Sequence, residues 1–91
     1  MASAAMLTAV KQALGVTGTY LDNTLSIYID DVVDYMTGAG VSAALIAAST
    51  GVVSRGVSDL WDNDGGNVKF SPYFHERVSQ LVLRSNGGGN S

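Results

Sequence analysis

The sequence predicts a small all-α domain, a bundle of four to five short helices with an irregular loop or short strand before the last of them. Three observations lead there. Apolar residues recur every three or four positions along most of the chain, glycines divide these stretches, and the single proline, Pro72, directly follows a serine, the order in which helices begin. Ninety-one residues leave room for one domain. A hydrophobic content of 46% is too high for a disordered chain. Residues 1–85 are therefore read as a single helical domain and 86–91 as a flexible Gly-rich tail.

The first helix is expected from Ala4 to Leu14, where Met6, Leu7, Val10 and Leu14 fall at helical spacing and Gly15 follows as a residue able to take positive φ. A turn over Gly15 to Gly18 leads into the second helix, with Thr17 or Thr19 as its N-cap. Leu21, Leu25, Tyr28, Ile29, Val32, Val33 and Met36 supply its apolar face. It is expected to end near Thr37, because Gly38 and Gly40 each weaken a helix by about 1 kcal/mol. Ser42 caps a third stretch beginning at Ala43, which Ser49-Thr50-Gly51 is expected to split in two. Its apolar face runs from Leu45 and Ile46 through Val52, Val53 and Val57 to Leu60 and Trp61.

After Trp61 comes Asp62-Asn-Asp-Gly-Gly-Asn67, the strongest turn signal in the chain. Val68-Lys69-Phe70 then alternates in the manner of a short extended segment. Ser71-Pro72 opens the last helix, whose core face would be Phe74, Val78, Leu81 and Val82, with His75, Glu76, Arg77 and Gln80 more exposed. Trp61, Tyr73 and Phe74 are expected in the core or in a seam between subunits. There is no internal repeat and no heptad run long enough for a coiled coil.

Charge and composition narrow the function. Charged residues make up 14% of the chain against about 25% in an ordinary soluble domain, so much of the surface is neutral and suited to association. Five Lys and Arg against eight Asp and Glu give a net charge of −3. That balance lacks the basic footprint of a duplex-DNA binder. There is no cysteine, which removes disulfides and thiolate metal sites. The N-terminal stretch has no basic segment ahead of its apolar residues and carries Lys11, so a secretory leader is not expected. Tyr35 to Ser54 is uncharged, but its many Gly, Ser and Thr residues argue against a membrane span.

Motifs with chemical content are few. The sole histidine, His75, has Ser71 and Ser79 at i−4 and i+4 without an orienting carboxylate, and an exposed helical histidine is the better reading. No catalytic residue, metal site or cofactor is expected. Asp59, Asp62 and Asp64 resemble a calcium loop only superficially. Counting back from Gly65 or Gly66 puts Leu60 or Trp61 at the first ligand position. Ala47, Gly51, Val57 and Leu60 have the spacing of a helix-turn-helix, with Ser54 to Trp61 as its recognition helix. That helix would offer Arg55 as its one basic residue, beside Asp59. A small DNA-binding or packaging-associated protein of this type is the alternative function. Asp22, Asp30, Asp31 and Asp34 place half of the acidic residues on the second helix. They form either a solvated outer face or a surface that repels a polyanion.

The stretch from Gly56 to Ser85 resembles the head-tail connector (adaptor) family of tailed phages and prophages. The resemblance rests on Asp59-Leu60-Trp61 at a helix end, the Gly-rich loop, Ser71-Pro72-Tyr73-Phe74, and a helix of the form Arg77-Val78-x-Gln80-Leu81. It extends to Leu7-x-x-Val10-Lys11-x-x-Leu14-Gly15 and to a second helix with paired acids before Tyr35, and so spans Met6 to Arg84. The chain departs from the family pattern in Gly51 and Gly56, which weaken the middle helix, and in the short stretch left after Leu83. The resemblance implies a virion protein of the neck, made in the bacterial cytoplasm. It would form a homo-oligomeric ring beneath the portal protein, extend the DNA channel without binding DNA tightly, and dock a downstream stopper or tail-completion protein.

On that basis three groups are candidate sites. Asp62, Asn63, Asp64, Val68, Lys69 and Phe70 would meet a neighbouring subunit or partner, with Val68 to Phe70 adding as a strand. Arg84, Ser85 and Asn86 would contact the portal, as connectors of this family commonly do with C-terminal residues. Asp30, Asp31 and Asp34 would line the channel, where repeated aspartates keep DNA mobile.

Overall fold

The computed structural model describes residues 3–62 and 70–87. Five helices are present among them: α1 (Ala4–Leu14), α2 (Asp22–Ala39), α3 (Ala43–Ala48), α4 (Thr50–Asp62) and α5 (Pro72–Gly87). The domain is all-α. Helix α4 is the central element; α1 and α2 pack most extensively on it, and α5 packs on both α4 and α2. The core is one cluster drawn from all five helices. Its fully buried members include Val10, Leu25, Ile29, Val32, Met36, Val53, Val57, Phe74 and Leu81.

Local chemistry explains most boundaries. Ser3 caps α1 by accepting the Met6 N–H at 3.1 Å. Gly15 ends it at φ +73°, with the Gly15 and Val16 N–H groups closing on the carbonyls of Gln12 and Lys11. Neither Thr17 nor Thr19 caps α2: Leu21 occupies that position without a side-chain cap, and the Thr19 carbonyl accepts the Asp22 N–H. The entry is held instead by Lys11, whose ammonium donates to the Gly18 carbonyl and pairs with Asp22 Oδ1 at 2.7 Å. Asp22 also places a negative charge in the first turn of α2, where the helix dipole favours it.

Helix α2 runs two residues beyond the expected end at Thr37. Gly38 stays helical and Gly40, at φ +109°, terminates it. The choice between the two glycines follows from Val41, which is buried and donates its N–H to the Met36 carbonyl. A helix stop of this kind needs an apolar residue just past the positive-φ glycine, and only Gly40 has one in place.

Ser42 Oγ accepts the Leu45 N–H at the start of α3. Ser49 alone separates α3 from α4: its N–H closes on the Ile46 carbonyl and its own carbonyl accepts from Val52 and Val53. Ser71 Oγ accepts the Phe74 N–H at 3.2 Å and Pro72 is the first residue of α5, as the Ser-Pro order predicts.

Two features of α5 depart from the sequence reading. The short strand is not formed by Phe70, which carries no regular structure; Val68 and Lys69 lie outside the described residues. The helix also continues through Asn86 to Gly87, past the boundary expected at residue 85. The cause is Ser85 Oγ, which accepts the Ser42 N–H at 2.8 Å and holds the last turns of α5 against the entry to α3.

Asp59 connects α4 to α5. It is buried, accepts the Ser71 N–H at 2.9 Å through Oδ2, and faces Arg55 Nε at 3.7 Å through Oδ1. The backbone of the residue that caps α5 is thus held by a carboxylate twelve positions earlier. Asp59→Ala is expected to lower stability by about 1.5–3 kcal/mol, the range for a hydrogen bond to a charged group. Asp59→Asn keeps an acceptor and should lose less. Urea unfolding followed by far-UV circular dichroism orders the three proteins.

Candidate functional site: two outer faces of the bundle

The three sequence-predicted groups fall at different places. Asp62 is the exposed last residue of α4, while Asn63, Asp64, Val68 and Lys69 lie outside the described residues. Phe70 is half-buried and turned inward. Its ring stacks at 4.5 Å from Phe74 and 5.0 Å from Tyr35, so it anchors the chain entering α5 instead of being offered to a partner. An aromatic side chain next to a fully buried phenylalanine gains more by joining the core than by facing water.

Tyr35 and His75 complete this aromatic group. The Tyr35 hydroxyl lies 3.0 Å from His75 Nδ1, and His75 is exposed, as its helical position suggested. The Ser71 hydroxyl is occupied by its capping bond to Phe74, and Ser71 and His75 are joined through the backbone, the His75 N–H donating to the Ser71 carbonyl at 3.1 Å. Trp61 and Tyr73 remain 39% and 53% exposed, so of the three aromatic residues expected in the core or in a seam between subunits Phe74 is the one fully enclosed in the core. Trp61 meets Tyr28 edge-on at 5.9 Å and walls a hollow of about 250 Å³ with Leu14, Val16 and Leu25.

In the proposed portal-contact group, Arg84 and Asn86 are exposed on α5 and Ser85 is half-buried, committed to Ser42. The aspartates of α2 do not share one environment. Asp31 and Asp34 are exposed, whereas Asp30 is half-buried and lines a groove between α1, α2 and α3. That groove has a volume of about 210 Å³ and apolar walls of Met6, Ile29, Val33 and Ile46. Over Asp30, Val33 and Thr37 it opens onto a shallow shelf bordered by Asp31 and Asp34.

Sequence reasoning did not find the groove, because its walls come from three helices and no local spacing announces it. Leu83 falls out of phase with Phe74, Val78 and Leu81, and it is 72% exposed. Ile27 is likewise off the buried stripe of α2 and is 60% exposed.

The helix-turn-helix spacing does not build that motif. Its turn would center on Gly51, yet Gly51 lies inside α4 and α3 is joined to α4 through Ser49 alone. The supposed recognition helix is the middle of the domain, with Ser54, Gly56, Val57, Asp59 and Leu60 buried. Of that helix Arg55 and Trp61 are the exposed residues, a narrow face for a groove of DNA. Among the described residues no group of three or more acidic or histidine side chains is arranged to hold a metal ion, and no helix is long and apolar enough to cross a membrane.

What the molecule presents is a pair of unlike outer faces. One is the apolar groove with its acidic shelf on the α1–α2–α3 side. The other is the outer surface of α5, with Leu83, Arg84 and Tyr73. Compared with known proteins, the chain matches no family model, no curated protein and no solved structure.

Proposed function

We propose that the chain is a structural subunit of a phage neck, a head-tail connector. It forms a ring beneath the portal, extends the DNA channel and docks the next neck or tail component. The single observation that carries this reading is the order of sequence pieces from Met6 to Arg84, in which a helix ending Asp59-Leu60-Trp61 is followed by a Gly-rich loop and a helix opening Ser71-Pro72-Tyr73-Phe74. Two physical features support it. The domain is small, charge-poor and all-α, and Tyr20, Ile27, Tyr73 and Leu83 stand exposed on it, as association surfaces require. A ring subunit also needs two different complementary faces, and the groove side and the α5 side are unlike in shape and charge.

In this role no side chain acts on a substrate. The net charge of −3 suits a conduit through which DNA must slide, since a basic wall would retain it through counterion release. The test is negative-stain imaging of the protein mixed with its cognate portal. A ring of added density beneath the portal is the expected result. Portal particles that look the same with and without the protein would overturn the reading, and duplex-DNA binding that weakens steeply with salt would favour a DNA-binding role in its place.

A further inference from the structure

We propose that the subunits of the assembly meet head to tail, with the Leu83–Arg84 corner of α5 on one copy seated in the α1–α2–α3 groove of the next. The seam deepens the connector reading and rests on its ring. The groove supplies one half of the complementarity. Its volume of about 210 Å³ exceeds the roughly 150 Å³ of an apolar cavity that accommodates a benzene ring, so one leucine side chain fits. Its walls, Met6, Ile29, Val33 and Ile46, are aliphatic, and its mouth leads to the exposed carboxylates of Asp31 and Asp34.

The other half is on α5. Leu83 is the most exposed aliphatic residue of that helix, and the next residue is a solvent-facing arginine. An apolar side chain beside a guanidinium answers an apolar hollow beside carboxylates, and Arg84 can engage a carboxylate with two parallel hydrogen bonds. The charges of the chain are sorted in the same sense. Helix α2 holds four of the eight acidic residues and no basic one, while α5 holds Arg77 and Arg84 against Glu76 alone.

The contact pairs two unlike patches. Groove and corner adjoin at the start of α3, where Ser85 bonds to Ser42, yet Leu83 stands 72% exposed and so does not fill the groove of its own copy. A contact between unlike patches propagates unless it is returned within a pair, and it closes into a ring when the rotation between copies permits. The same placement assigns Asp31 and Asp34 to the seam between subunits instead of the channel wall. The two assignments predict opposite effects. Aspartates facing one another across a lumen oppose assembly, whereas aspartates receiving Arg84 support it.

The test uses light scattering coupled to size-exclusion chromatography at low salt, with folding checked by circular dichroism. Two variants are made, Leu83→Ser with Arg84→Ser, and Asp31→Lys with Asp34→Lys. The parent is expected to associate beyond a dimer, less so as salt is added. Each variant should elute as a monomer. An equimolar mixture should double in mass and stop there, since one intact corner and one intact groove remain to form a single seam. Variants that assemble like the parent, or assemble more readily when Asp31 and Asp34 are both changed to Asn, would overturn the proposal. So would a mixture that stays monomeric, or a parent that never associates. Portal imaging reads the connector function separately: a parent that adds a ring of density beneath the portal while the monomeric variants add none would uphold the seam and the connector together, and variants that assemble and add density like the parent would refute the seam alone.

Discussion

Replacing Phe74 with alanine should lower the stability of the domain by about 3–5 kcal/mol, the usual effect of removing a buried phenylalanine. The ring is wholly enclosed and is the largest fully buried side chain among the described residues. It lies where α5 meets α2 and α4, with Phe70 and Tyr35 stacked against it at 4.5 and 5.9 Å. Truncation therefore opens a cavity where α5 meets α2 and α4, and it strips Phe70 of its nearest aromatic partner. A domain of this size is held by roughly 5–15 kcal/mol in total, so the variant should be partly unfolded at 37 °C. Since each 1 kcal/mol shifts the midpoint of a 60–100-residue domain by about 4–8 °C, thermal melting should show a drop of 12 °C or more by that scale. A variant melting within about 4 °C of the parent would show that the ring does not hold α5 in place.

The second large effect comes from the residue facing that ring. Gly56 lies in the middle of α4, where an alanine would ordinarily stabilise a helix by about 1 kcal/mol. Here the sign reverses. A Cβ at this position would stand 2.7 Å from Phe74 Cε1 and 2.9 Å from Val32 Cγ1, both belonging to fully buried side chains with no space to move into. Overpacking of this kind typically destabilises by 1–3 kcal/mol, and the added helix preference offsets only about 1 of these. Gly56→Ala is expected to lower the urea midpoint, and Gly51→Ala, on the exposed side of α4 with open space around it, to raise it. The clash should also be relieved by a smaller neighbour. Gly56→Ala combined with Phe74→Leu should be less destabilised than the two single effects added together, with a coupling of about 0.5–3 kcal/mol in a double-mutant cycle. Strict additivity would mean that Gly56 and Phe74 do not touch.

This pair also shows where sequence reading stops. A glycine in the middle of a helical pattern is locally a weakness, and nothing within several residues of Gly56 says otherwise. Its purpose appears only when α5 is laid across α4, because the residue it accommodates is eighteen positions away. Asp59 is a similar case. Its spacing to Asp62 and Asp64 suggested at most a polar turn, whereas its partner is the backbone N–H of Ser71, brought near by the packing of two helices.

Signals that act over three or four residues were legible in advance. Gly15, Ser42 and Ser71-Pro72 stand at helix ends because capping and positive φ are satisfied by the residues immediately beside them. The buried stripes of α1, α2, α4 and α5 followed from the 3.6-residue period alone, since a helix exposes every apolar residue that falls off its stripe. Leu83, which falls off the stripe of α5, stands outside for the same reason. Tertiary packing decided the rest. Gly40 ends α2 because Val41 is buried, α5 reaches Gly87 because Ser85 meets Ser42, and Phe70 turns inward because Phe74 and Tyr35 are there to receive it. The groove that would receive Leu83 exists only where α1, α2 and α3 converge. Its walls are residues far apart in the chain, and a hollow between elements has no period to betray it.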